Sequence, residues 1–199
     1  MEATSSQSLT KQMKMGKVYR RADLESYSTA VDRELKELCA SKEVMKLSPG
    51  LYYRPKLSAF GTQPPEDEML VSSFLKDDRF LMTSFNHFNG LGLGLTQLYN
   101  TQVVYNYKRH GRFTLGSKTF EFKRVSNFPK KLSREYLVVD LLNNLKSLAE
   151  DESQIKSRLQ EKLFEFDRDE LLAMANKYGR ARTRDLVKDL YASAQFFSS

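Results

Sequence analysis

Cysteine, histidine and paired carboxylates are the side chains that hold metals and carry most acid–base and nucleophilic chemistry. This chain has one cysteine, Cys39, and two histidines, His87 and His110. A single thiol can close no internal disulfide and build no cysteine-rich zinc site, and it points to a reducing compartment. Two histidines make no multi-histidine metal centre. Neither has an acidic or nucleophilic neighbour in sequence, so each reads as a loop or packing residue. Glu121-Phe122-Lys123 has the E-x-K spacing of some metal-dependent nucleases. Such a centre needs another acidic ligand upstream, and no Asp or Glu lies between Arg79 and Phe120. Glu150, Asp151 and Glu152 fall at a helix junction, as do Asp167, Asp169 and Glu170. The helix dipole favours acidic residues there without any catalysis.

Two glycine-bearing segments invite phosphate-binding readings, and both fail on spacing. In "GLGLGL" at 90–95 the third glycine of G-x-G-x-x-G would fall on Leu95, and no acidic residue follows about 20 positions on. "GRFTLGSK" at 111–118 swaps the last two letters of a phosphate loop and runs into an alternating, strand-like segment. Gly116-Ser117 therefore reads as a hairpin turn. The chain is expected to hold no catalytic residues, no metal and no cofactor, and not to be an enzyme.

Positive charge is the remaining candidate for chemistry. Lys and Arg number 32 against 25 Asp and Glu, for a net charge of +7 and a pI near 9.4. That balance suits a polyanionic partner. Its distribution is uneven: residues 103–134 hold nine basic side chains and one acidic one, whereas residues 135–199 hold ten and twelve. The basic run is Lys108, Arg109, Arg112, Lys118, Lys123, Arg124, Lys130, Lys131 and Arg134. Alternate members on strands would share a face able to hold phosphates, with a merely solvated surface as the plain alternative. A smaller group, Lys177, Arg180, Arg182, Arg184 and Lys188, lies near the last helix. It would meet an acidic partner, DNA or only solvent.

The elements that position these charges fall into two parts. In residues 1–60 a weak helix at Ser8–Met15 ends at Gly16, an extended piece follows around Val18 and Tyr19, and a short helix spans Ala22–Glu25. Ser28 is expected to cap the next helix. There Val31, Leu35, Leu38 and Lys42 form one stripe with Cys39 beside it. "VMKLSPGLYYRPK" then alternates and turns at Ser48-Pro49-Gly50, the pattern of a β-hairpin. Helix, helix, turn, helix, hairpin is the order of a winged helix-turn-helix domain, whose third helix enters the DNA major groove. Ser28, Thr29, Arg33 and Lys36 would lie on its exposed side, with Asp32 beside them. Lys46, Arg54 and Lys56 on the wing would reach the flanking backbone.

Residues 57–65, with Pro64-Pro65, read as a linker. Residues 66–199 are expected to form a second, mixed α/β domain. A helix is predicted at Glu66–Lys76, with Met69, Leu70, Phe74 and Leu75 inward. Strands are predicted at Gln102–Lys108, Arg112–Leu115 and Lys118–Val125. Helices should cover Ser133–Glu150, Glu152–Phe166, Asp167–Tyr178 and Thr183–Ala194. The class is thus α+β, with a small sheet and several C-terminal helices. The N-terminus has no apolar run of the secretory kind, and polar residues interrupt the uncharged stretch 80–107. Neither supports a signal peptide or a membrane span, so a cytoplasmic protein with no membrane partner is expected.

"GKVYRRADL", "AVDRELKEL" and "KLSPGLYYRPK", with "FG" and "PP" behind them, resemble the N-terminal domain of AbiEi-type antitoxins. "SFNHFNGLGLGLTQLYNTQVVYN" through "GRFTLGSKTFEFKRV" resembles the start of their C-terminal domain. The resemblance covers most of the chain. It implies a non-catalytic, bacterial antitoxin of a type IV pair, which represses its own promoter by binding inverted repeats in double-stranded DNA. It also implies a functional partner, a nucleotidyltransferase-like toxin. Thr29, Arg33, Lys36 and Arg54 are the positions it carries over. Asp32 and Glu34 depart from a phosphate-seeking helix, since both would repel DNA. The rival readings are a winged-helix regulator whose C-terminal domain senses a ligand or dimerises, and an enzyme acting on nucleic acid.

Overall fold

A computed structural model describes residues 6–59 and 61–196. The fold is mixed α+β, with small sheets and several C-terminal helices. In chain order the first elements are α1 (Ser6–Gln12), β1 (Lys17–Arg20), α2 (Arg21–Leu24), α3 (Val31–Ala40), β2 (Met45–Ser48) and β3 (Leu51–Arg54). There follow β4 (Lys56–Ser58), β5 (Gly61–Gln63), α4 (Asp67–Leu75), β6 (Phe80–Ser84), β7 (Gln102–Asn106), β8 (Gly111–Leu115) and β9 (Lys118–Arg124). Helices α5 (Arg134–Asn144), α6 (Glu152–Glu161), α7 (Arg168–Tyr178) and α8 (Ala181–Phe196) complete the chain, with short 3-10 turns at Phe85–Leu91, Leu145–Ser147 and Leu163–Glu165. No helix among the described residues is long and apolar enough to cross a membrane.

The structure divides the chain differently from the expected boundary at residues 60–66. One compact unit holds the chain up to Phe80 together with Lys108–Phe122; the other holds Leu81–Tyr107 and the chain from Lys123 onward. The reason is the β8–β9 hairpin, which belongs to the first unit. Phe113 and Phe122 on it pack on Phe74 of α4 with ring centroids 5.0 and 5.1 Å away. At the hairpin turn the Gly116 N–H donates to the Leu47 carbonyl at 2.8 Å. Sequence-distant aromatics thus override the linear boundary.

Within the first unit, helix burial follows the apolar spacing. Leu9 and Met13 of the α1 region are wholly buried, and so are Val31, Leu35 and Leu38 of α3. They share one core with Leu24 and Val44. Helix α3 stops at Ala40, so the expected stripe position Lys42 lies beyond it, exposed and left-handed at φ 63°. Strands β1, β3 and β2 form an antiparallel sheet in that order. Pro49 and Gly50 make its turn, with Gly50 at φ 74°, as a type II turn requires. Residues 57–65 are not a plain linker. They contain most of the β4–β5 hairpin, paired Lys56 to Gln63, and the Tyr53 hydroxyl donates to the Gln63 carbonyl at 2.9 Å. On α4 the buried residues are Leu70, Val71 and Leu75; Met69 and Phe74 are only half-buried.

The second unit packs α5 to α8 around one apolar core. The "GLGLGL" segment joins that core through Leu91, Leu93 and Leu95, all buried. Between them Gly92 and Gly94 have φ of 70° and 74°. The Arg158 guanidinium donates to the Leu93 carbonyl at 3.2 Å and lies so close that a Cβ on Gly94 would meet its Nη1 at 1.2 Å. The left-handed φ at Gly94 calls for glycine, and the Arg158 guanidinium rests on its bare backbone. His87 caps the adjoining 3-10 turn, its Nδ1 3.4 Å from the Ser84 nitrogen.

A buried polar cluster crosses the same unit. The Tyr105 hydroxyl donates to Asp140 Oδ1 at 2.5 Å, and Asn144 Nδ2 donates to the same oxygen at 2.9 Å. Lys123 Nζ donates to Asn144 Oδ1 at 2.6 Å. Asp140 Oδ2 is buried without a hydrogen-bond partner. Burial is the dominant influence and pushes the Asp140 carboxyl up to about 6, against the pull of Tyr105, Lys123 and Asn144. The folded state then binds more protons than the unfolded chain between pH 4 and 6, so this group's contribution to stability falls as pH rises through that window. Asp140→Asn removes the charge and keeps an acceptor for Tyr105. The difference in unfolding free energy, variant minus wild type, should move in the variant's favour from pH 4 to 7 by roughly 2 kcal/mol. Urea titrations at pH 4, 5.5 and 7 check this; a difference constant with pH would mean that Asp140 titrates as in the unfolded chain.

Candidate nucleic-acid interface

Helix α3 presents one apolar and one polar face. With Val31, Leu35 and Leu38 inward, Asp32, Arg33 and Lys36 are exposed. Thr29 is also exposed, but it lies in the turn before the helix, not on it. Ser28 is not the N-cap: Ala30 holds that position, and the helix starts at Val31. Ser28 acts two residues earlier, where its hydroxyl accepts from the Ala30 N–H at 3.0 Å. A notch of about 480 Å³ opens at this turn, lined by Ser28, Thr29 and Arg33 and also by two acidic residues, Glu25 and Glu34.

Helix α3 carries three acidic residues: Glu37 is exposed beside Lys36, and the other two have partners within the protein. Glu34 is 1% exposed. Its carboxylate accepts from the Ser28 hydroxyl at 2.5 Å and from the Leu9 N–H at 3.4 Å. It therefore joins three segments of the core and does not face solvent. Asp32 is exposed but clamped by Arg21, with both guanidinium contacts at 2.6 Å. The Arg21 guanidinium holds the Asp32 carboxyl below the usual carboxylate range. The charge that Asp32 would turn towards DNA is thus offset by a bidentate cation.

The other expected contacts divide. Lys46 and Lys56 are exposed beside the β2–β3 hairpin. Arg54 is half-buried, and its guanidinium donates to the carbonyls of Thr10 and Met13, at the end of α1. The assignment of Arg54 to DNA phosphate is corrected: the side chain ties β3 to α1. The Cys39 thiol is half-buried and burial pushes it up, which disfavours the thiolate.

The basic run at 108–134 does not form one face within either unit. Lys108, Arg109 and Arg112 belong to the first unit, and Lys123, Arg124, Lys130 and Lys131 to the second. Lys108 contacts the Lys76 carbonyl at 2.6 Å and Asp77 at 3.2 Å. Arg109 stacks over Phe74 at 4.6 Å, and Arg112 faces Glu121 across the hairpin at 3.4 Å. Lys118 pairs with Asp67, and Arg134 pairs with Glu165 at 3.2 Å. Lys123 reaches Asn144, as described, and sits 4.9 Å from the Phe85 ring. Arg124, Lys130 and Lys131 are exposed. No group of three or more His, Cys, Asp or Glu able to hold a metal occurs among the described residues.

Residues 6–171 match the family of unknown function DUF6088, and the chain belongs to that family. No curated protein matches the chain.

Arg54 is the expected contact whose partners sequence reasoning missed, because an inward or outward turn of a charged side chain leaves little trace in spacing. Replacing Arg54 by Ala leaves two carbonyls without a cationic donor. Unfolding free energy should fall by about 1–3 kcal/mol, measured by urea denaturation of the full chain. An unchanged midpoint would return Arg54 to the list of free surface cations.

Proposed function

We propose that the first unit is a winged-helix DNA-binding module and that α3 is its recognition helix. The reading rests on one observation: Glu34 turns into the core and Asp32 is clamped by Arg21, which leaves Arg33 and Lys36 against the one further acid, Glu37, on the exposed face of α3. The element order α1, β1, α2, α3, β2, β3 with sheet order β1-β3-β2 is in keeping with it. In this reading Arg33 and Lys36 meet base edges, Thr29 and Ser28 meet backbone at the turn, and Lys46 and Lys56 meet flanking phosphates. The resemblance to AbiEi-type antitoxins extends the proposal. The protein would repress its own promoter without catalysis and counteract a nucleotidyltransferase-like toxin from the same operon, working in the cytoplasm.

Titration of the full chain against its promoter fragment at several salt concentrations tests the DNA reading. Each phosphate contact should contribute roughly −0.9 to the log–log slope. Arg33→Ala should cost about 1–3 kcal/mol on the promoter and less on random duplex. A salt-independent affinity, or equal losses on both duplexes, would remove α3 from base reading. Deleting residues 1–60 is the wrong test of divided labour, because it strips α4 and the β8–β9 hairpin of their own unit. In a reporter strain carrying the neighbouring toxin gene, Arg33→Ala should release the promoter and still rescue growth. Loss of rescue in the folded variant would tie antitoxic action to the DNA-binding face.

A further inference from the structure

A cavity of about 210 Å³ in the second unit is walled by four cationic residues: Lys146, Lys156, Arg180 and Arg182. They come from three places in the sequence: the 3-10 turn after α5, the helix α6, and the entry to α8. No carboxylate lines the cavity. Glu152 touches the group, 3.5 Å from Lys156 Nζ and 3.3 Å from Arg182 Nη2, and Asp140 acts on Arg180 through space. Among the described residues the four cations still outnumber these two acids. Leu142, Leu145 and Leu186 supply apolar wall, which lowers the local dielectric and strengthens attraction to an anion.

The backbone adds to this. Helix α8 has 16 residues, and its first N–H groups have no intrahelical acceptor. Asn143 fixes that end of the helix: its Oδ1 accepts from the Arg180 N–H and from the Thr183 hydroxyl, both at 2.9 Å. Thr183 is 3% exposed, so the α8 terminus is anchored against α5 and not left to fray. The cations are thus arranged about a fixed positive helix end.

The geometry points to a binding site for a compact phosphate anion, of the size of a diphosphate group, held by Lys146, Lys156, Arg180 and Arg182. The volume is below the usual range for drug-sized ligands, which favours a short polyanion. Guanidinium and ammonium donors on several sides match tetrahedral phosphate oxygens. The site lies outside α3 and its notch and stands apart from the DNA reading.

Inorganic pyrophosphate and a nucleoside diphosphate serve as probes, titrated into the full chain by calorimetry in low-salt buffer, with amide shifts followed by NMR. Saturable one-to-one binding is expected, with shifts centred on the amides of Arg180, Arg182 and Thr183. The double substitution Lys146→Gln with Arg180→Gln should weaken it at least tenfold, and Lys156→Gln alone should weaken it less. Arg33→Ala should leave it unchanged. Tighter binding of the nucleoside diphosphate would assign a nucleotide, and equal binding the free anion. Absence of saturable binding, shifts elsewhere in the chain, or affinity unaffected in the folded Lys156→Gln protein would overturn the site.

Discussion

A carboxylate excluded from water fixes the N-terminal unit. Glu34 has no access to solvent, so its charge must be met by protein donors or the helix would turn to expose it. The Ser28 hydroxyl and the Leu9 N–H meet it. One comes from the turn that leads into α3 and the other from α1. The interaction therefore sets the rotation of α3 about its axis as well as its distance from α1. Rotation is the quantity that matters for the exposed side, because residues 33 and 36 share a face only when 31, 34, 35 and 38 share the other. Arg54 repeats the device from the sheet side, bridging β3 to carbonyls at the end of α1. Two inward-turned charges thus hold three elements whose apolar core is small.

The edge of the three-stranded sheet meets a turn that lies 69 residues further along the chain, from Leu47 to Gly116. Strand β2 lies at the edge, and an uncovered edge offers carbonyls to any passing strand. The Gly116 N–H takes the Leu47 carbonyl. A Cβ at Gly116 would stand 3.1 Å from Leu47 Cδ2, and φ there is 65°, so the approach and the turn both call for glycine. The phenylalanines of β8 and β9 that pack on α4 make the same return obligatory.

Local rules made part of this legible. The Val31, Leu35, Leu38 stripe, the Pro49-Gly50 turn and the Gly116-Ser117 turn were readable because each depends on residues within one or two turns of chain. Phe120 and Phe122, two residues apart on β9, are both wholly buried. What was not readable depends on distant partners. The β4–β5 hairpin has weak periodicity and is held in part by Tyr53, and the first unit closes only when β8 and β9 return. Arg54 was read as a wing cation, but it finds its acceptors across the fold, as Glu34 and Asp140 find their donors.

The same argument changes what the net charge means. A run of nine cations between residues 103 and 134 reads in sequence as a polyanion footprint. In the folded chain Lys108, Arg112, Lys118 and Arg134 each meet a carboxylate, while Arg109 and Lys123 lie against aromatic rings. Exposed ion pairs of this kind add little stability, yet they do reduce the field available to a distant phosphate. Density of charge along the sequence is therefore a poor guide to the interface here. The better guide is how few acids stand among cations that share one place in the fold. By that criterion the cavity beside α8, where Glu152 is set against Lys146, Lys156, Arg180 and Arg182, ranks above the longest basic run in the chain.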